Sequence, residues 1–129
     1  MQVVRSFHDS DATFVGYGVR VLLVTQEGEN SALARRLSSL GGRVEAIDEF
    51  FTALSDVLDD PVGFGLFVID CDGANVGGLE GGKRAVQIMG EMVSRIPVIL
   101  VSKDCKEQSF PDDRLAPTLL RAPLYGLTL

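Results

Sequence analysis

The chain has 129 residues, enough for one domain, and its 46% hydrophobic content supplies a core for it. A net charge of -6 sets it against nucleic acid and anionic lipid as partners, and no apolar run approaches the ~20 residues that span a bilayer. Two cysteines, with no apolar leader in the first eighteen residues, point to a reducing cytoplasm rather than a disulfide framework.

Residues 1–18 are mixed and unpatterned. They read as an arm, apolar for a tail because of Phe7, Phe14, Val15 and Tyr17, and residues 19–129 read as the domain. Val19 to Val24 is a short β-branched run of the kind buried on both faces of a parallel sheet. Asn30 or Ser31 then caps a helix carrying Leu33, Leu37 and Leu40, which Gly41-Gly42 stops. Val44 to Ile47 is a second strand. Asp48 is the expected N-cap of a helix with Phe51, Leu54 and Leu58 on one face, ended by Pro61. Leu66 to Ile69 is a third strand with Asp70 at its carboxyl end, followed by a polar, glycine-rich loop from Cys71 to Gly78. A third helix is expected to carry Val86, Met89, Val93 and Ile96 on one stripe. Pro97 opens a fourth strand, Val98 to Val101. The stretch from Lys103 to Pro117 has room for at most a short helix, and Thr118 to Leu120 is the fifth strand.

Strands alternating with helices predict an α/β domain on a parallel sheet with right-handed crossovers. Ligands of such sheets bind beyond the carboxyl ends of the strands. That rule selects Thr25, Gln26, Glu27, Asp70, Cys71, Asp72, Ser102, Lys103 and Arg121. Within this group, Asp70 offers a nucleophilic carboxylate and Ser102 a hydroxyl able to bind a phosphoryl oxygen. An acyl phosphate could form on Asp70 if a divalent cation such as magnesium neutralised the incoming charge.

Several stretches, in this order and at this spacing, resemble the receiver domain of two-component response regulators. Leu66-Phe67-Val68-Ile69-Asp70, followed by Gly78-Leu79-Glu80, is similar to the family's phosphoacceptor strand and the opening of its third helix. Ile96-Pro97-Val98-Ile99-Leu100-Val101-Ser102 is similar to its fourth strand with a terminal Ser/Thr. Val21-Leu22-Leu23-Val24 is similar to its first strand, and Leu120-Arg121-Ala122-Pro123 to the strand that ends in Lys-Pro. The resemblance covers roughly residues 19–124. It implies a flavodoxin-like sandwich whose five parallel strands run in the order 2-1-3-4-5. It implies Asp70 as phosphoacceptor from a histidine kinase or phosphotransferase, and Ser102 and Arg121 as phosphoryl-binding and switch residues. Asp70, the Asp72 carbonyl and Glu27 would be the ligands of magnesium. The output would be a changed interaction surface for a downstream protein, not a metabolic reaction.

The sequence departs from that family at defined places. Thr25 and Gln26 stand where two acidic residues belong, with Glu27 one position late. Ala122 takes the lysine position with Arg121 one residue early, and Leu119 replaces the switch aromatic. A phosphoacceptor and a phosphorylation-independent pseudo-receiver are both compatible with this pattern. An enzyme-class alternative is phosphate-ester handling by Gly77 to Lys83, which reads Gly-x-x-x-x-Gly-Lys but has Arg84 where a P-loop needs Ser or Thr. Asp70-Cys71-Asp72-Gly73 opens like a calcium loop but has Asn75 at the turn glycine. Cys71 and Cys105 read as buried thiols, with a redox pair as the alternative. His8, in the arm, reads as a surface residue.

Only Leu124 to Leu129 follow the last strand and its proline, too few for the family's fifth helix. Apolar sheet surface is therefore expected to stand open. Its cover would be the arm through Phe7 and Phe14, a second copy in a homodimer, or further chain beyond a cut end.

Overall fold

The computed structural model describes residues 18–60, 63–73, 75–90, 96–111 and 116–122. Five strands form one sheet: β1 (Arg20–Val24), β2 (Arg43–Ile47), β3 (Leu66–Asp70), β4 (Val98–Ser102) and β5 (Thr118–Arg121). All pair in parallel, in the order β2-β1-β3-β4-β5. Three helices accompany them among the described residues: α1 (Ala32–Ser39), α2 (Phe50–Asp59) and α3 (Gly78–Met89). The alternating strand and helix patterns predict the parallel α/β sheet, and its order is the flavodoxin-like one that the receiver resemblance implies. None of these helices is long and apolar enough to cross a membrane.

Side chains alternate across the central strands with the period of two that a pleated strand imposes. Leu22, Val24, Phe67, Ile69 and Leu100 pack under α2 and α3, against Ala53, Val57, Ala85, Val86 and Met89. Val21, Leu23, Leu66, Val68, Ile99, Val101 and Leu120 face the other way, in a cluster with Ala34 and Leu37 of α1. Both faces of β1, β3 and β4 are buried, which is why those strands read as unbroken apolar runs.

The helix ends follow their capping chemistry. Ser31 caps α1, its hydroxyl accepting the Ala34 N–H at 3.0 Å. The second cap corrects the expectation: Glu49, not Asp48, closes α2, its carboxylate accepting the Phe51 N–H and the Thr52 hydroxyl. Asp48 instead lends its carbonyl to the Asn75 amide at 2.7 Å. The buried face of α2 is corrected with it. Phe50, Ala53, Leu54 and Val57, at helical spacing, meet the sheet. Phe51 and Leu58 are turned to solvent, 60% and 59% exposed.

α3 stops at Gly90, whose positive φ of 58° suits glycine. Ile96 therefore lies beyond the helix, buried ahead of β4, rather than on its stripe, and Val93 lies outside the described residues. On the α1 side, where the sequence predicts open apolar surface, Ile99, Val101 and Leu120 are 5% exposed or less. The expectations placed on Phe7, His8, Phe14, Tyr17 and residues 123–129 lie outside the described residues.

The β4–β5 connection shows no helix among its described residues. Ser109 forms a two-way backbone bridge with Leu119, antiparallel to β5. The described part of this segment thus covers one edge position of the sheet.

Candidate functional site

Strand register assembles the site. Val24 aligns with Ile69, so Thr25 arrives beside Asp70; Asp70 aligns with Val101, so Ser102 stands one residue further along the same rim. The carboxyl ends of β1, β3 and β4 thereby bring Thr25, Asp70, Asp72 and Ser102 into one hydrogen-bonded group.

Within it, the Thr25 hydroxyl donates to Asp70 Oδ2 at 3.1 Å and accepts the Glu27 N–H at 3.3 Å. Asp70 Oδ1 accepts the Asp72 N–H at 3.3 Å. The Asp72 carboxylate reaches across to β4, where Oδ1 accepts the Ser102 hydroxyl at 2.6 Å and Oδ2 the Lys103 N–H at 2.8 Å. Ser102 in turn accepts the Asp104 N–H at 3.0 Å. Thr25 and Ser102 are buried, and no buried side-chain polar atom among the described residues lacks a partner.

Electrostatics follow from that placement. Partial burial lifts the Asp70 carboxyl above its ordinary value of 3.8. The hydrogen bonds from Thr25 and the Asp72 N–H oppose the rise, and the charges of Asp72 and Glu27 add to it. Cys71, the next residue, is pushed up to about 12, first by burial and then by the charges of Asp70 and Asp72. Its thiol is turned to the Ile69 carbonyl, and that of Cys105 to the Glu107 carbonyl. Both are free and buried, the setting in which thiols act as small packing groups.

The remaining selected residues are held differently. Glu27 is exposed and enters the group through its backbone N–H. Gln26 lies against Gly73, its Oε1 3.2 Å from where a Cβ there would stand. Arg121 turns away from Asp70: its Nε donates to the Cys105 carbonyl at 2.7 Å and its Nη2 to the Lys106 carbonyl. It clasps the segment after β4.

Magnesium asks for several oxygens free to enter its shell, usually including carboxylates. Here both Asp70 oxygens and both Asp72 oxygens already face protein donors. Thr25 replaces an acid, and the described residues hold no group of three or more His, Cys, Asp or Glu able to take a metal ion. As arranged, an ion entering here would have to share or displace these donors.

The P-loop pattern dissolves in the fold. α3 begins at Gly78, so the second glycine and Lys83 stand within a helix, not on a loop wrapping a phosphate. Gly77 is the helix cap, at φ 88°, and Gly81 and Gly82 are packing positions. A Cβ at Gly81 would run into the Val76 carbonyl; one at Gly82 would run into Cys71 Sγ, with Leu100 Cδ2 only 3.3 Å away.

Sequence reasoning missed two roles. Thr25 was placed on the rim but given no role beyond a lost acid, whereas it is the donor that binds the Asp70 carboxylate. Asp72 counted only for its carbonyl, whereas its side chain ties the β3 loop to β4. A hydroxyl beside a strand-end Asp was the available signal for the first; the second depends on a contact thirty residues apart in sequence. No protein-family model matches the chain, and no match was found among the curated proteins.

Proposed function

We propose that this chain is a receiver-type signalling domain that works as a phosphorylation-independent protein–protein interaction module. One observation carries the reading: the rim where a phosphoryl group would be received is closed by its own hydrogen bonds. Thr25 and the Asp72 N–H take the Asp70 carboxylate, and the Asp72 side chain takes the Ser102 hydroxyl. Arg121, the nearest counterpart of the family's phosphoryl-binding cation, is occupied by backbone carbonyls. The Ser102 hydroxyl, which a phosphoryl oxygen would engage, already has a carboxylate partner in Asp72. In this reading the domain is cytoplasmic, catalyses no metabolic reaction, and acts by binding a downstream protein or a second copy of itself.

A second reading keeps Asp70 as the acceptor of a phosphoryl group from a histidine kinase or phosphotransferase. Its support is positional: Asp70 ends the central strand of an all-parallel sheet, only partly buried, with Ser102 on the adjacent strand. Under it, Asp70 must shed the Thr25 hydrogen bond before attacking.

The two part on one experiment. The chain is incubated with acetyl phosphate, and separately with beryllofluoride, each with magnesium. Intact mass and amide NMR shifts are then recorded. We expect no phosphoryl adduct and no shift at Thr25, Asp70 or Ser102. An adduct that is absent in Asp70→Asn overturns the first reading and establishes the second.

A further inference from the structure

Between the start of α2 and α3 lies a cleft of about 180 Å³ that none of the rim chemistry uses. Its floor includes Ile69 and Val76, and its lips are Phe51 and Ile88, 60% and 56% exposed. Three polar side chains line it, and two are committed. Glu49 caps α2, and Asn75 donates to the Asp48 carbonyl. The third, Arg84, makes no hydrogen bond or ion pair among the described residues; its guanidinium lies over Gly77 and Gly81, on the α3 side. Neighbouring Lys83 has its own carboxylate, Glu80, at 3.8 Å.

Size and charge choose the occupant. Small-molecule pockets run to roughly 300–1,000 Å³, so this cleft is short of one. It suits a single bulky side chain, and the exposed apolar lips extend the contact surface beyond it. Large apolar groups left in water beside an uncommitted arginine have the composition of a protein-binding hot spot. An arginine of this kind selects a carboxylate, which it can hold through two parallel N–H donors.

We propose that the α2–α3 cleft binds a peptide segment of a partner protein in which a bulky apolar side chain neighbours an Asp or Glu. The apolar residue fills the cleft between Phe51 and Ile88. The carboxylate lies over α3 on Arg84, directed away from Glu49, and this fixes the direction of the segment. The proposal rests on the reading of the chain as an interaction module and names the surface that module uses.

The test is selection of a random displayed peptide library on the full chain, followed by amide NMR titration with the enriched peptide. Enriched sequences pair an aromatic or large aliphatic residue with Asp or Glu, and shifts gather on residues 49–53 and 75–88. Arg84→Ala weakens binding about tenfold or more, and Ile88→Ser does likewise. Both positions are exposed, so both variants keep the thermal midpoint of the parent. Peptides without an acid, shifts elsewhere on the surface, unchanged affinity in Arg84→Ala, or no enrichment each overturn the cleft. An acyl phosphate at Asp70 would sink the phosphorylation-independent reading by a separate readout, leaving cleft binding to be judged on its own.

Discussion

Asp70 is the residue on which pH acts. Its folded carboxyl titrates above 3.8, chiefly because burial disfavours the charged form. The native state then holds a proton more tightly than the unfolded chain in the window just above 3.8. The resulting contribution to stability is fully present below that value and is lost as pH rises through the folded value. Asp70→Asn removes the titration and retains an oxygen for the Thr25 hydroxyl. Urea unfolding should therefore find the variant gaining on the parent as pH goes from below 3.8 to neutral. A constant difference across that range would contradict the placement of Asp70. The sequence marked Asp70 and Ser102 because both end apolar strands. It was silent on which atoms meet there, since Asp72 reaches Ser102 only after two strands align side by side.

At the scale of elements, α3 shows how glycine spacing can carry packing while imitating a phosphate loop. Gly81 and Gly82 let the helix approach the Val76 carbonyl and Cys71 closely. Alanine at either should destabilise by about 1–3 kcal/mol through overpacking. The two differ in their cure. Trimming the sulfur with Cys71→Ala should recover part of the loss in Gly82→Ala, giving a favourable coupling in a double-mutant cycle. No such rescue exists for Gly81→Ala, whose obstacle is backbone. Chemical denaturation of the three single variants and of Cys71→Ala combined with each glycine variant measures both claims. α2 teaches the converse lesson. Its face was misread by one position because Phe51, Leu54 and Leu58 and the observed set of Phe50, Ala53, Leu54 and Val57 both satisfy helical spacing. The fully buried Ala53 belongs to the same core cluster as Leu22 and Phe67, on the face where a small side chain lets a helix sit close to a sheet. The same rotation leaves Phe51 outward as a lip of the cleft.

For the whole molecule, one sheet serves two cores. Leu22 and Leu23 are adjacent and fully buried, yet Leu22 packs with α2 and α3 and Leu23 with α1. Because β1 belongs to both layers, neither can be lost alone. Leu22→Ala and Leu23→Ala should each cost about 2–5 kcal/mol and lower the midpoint of a single transition. Two separate transitions by calorimetry would show the layers to be independent. By itself, the order of apolar runs and glycine stops determined the five strands, the three described helices and their parallel pairing, while the order β2-β1-β3-β4-β5 came only as an implication of the receiver resemblance. Those signals are local, or follow from the handedness of crossovers. The pairing of Thr25 with Asp70, the turn of Arg121 away from the rim, the Asp72–Ser102 clasp and the α2–α3 cleft were decided only by tertiary structure. Each depends on strand register or helix rotation, and a shift of one residue in either would send the same side chains elsewhere.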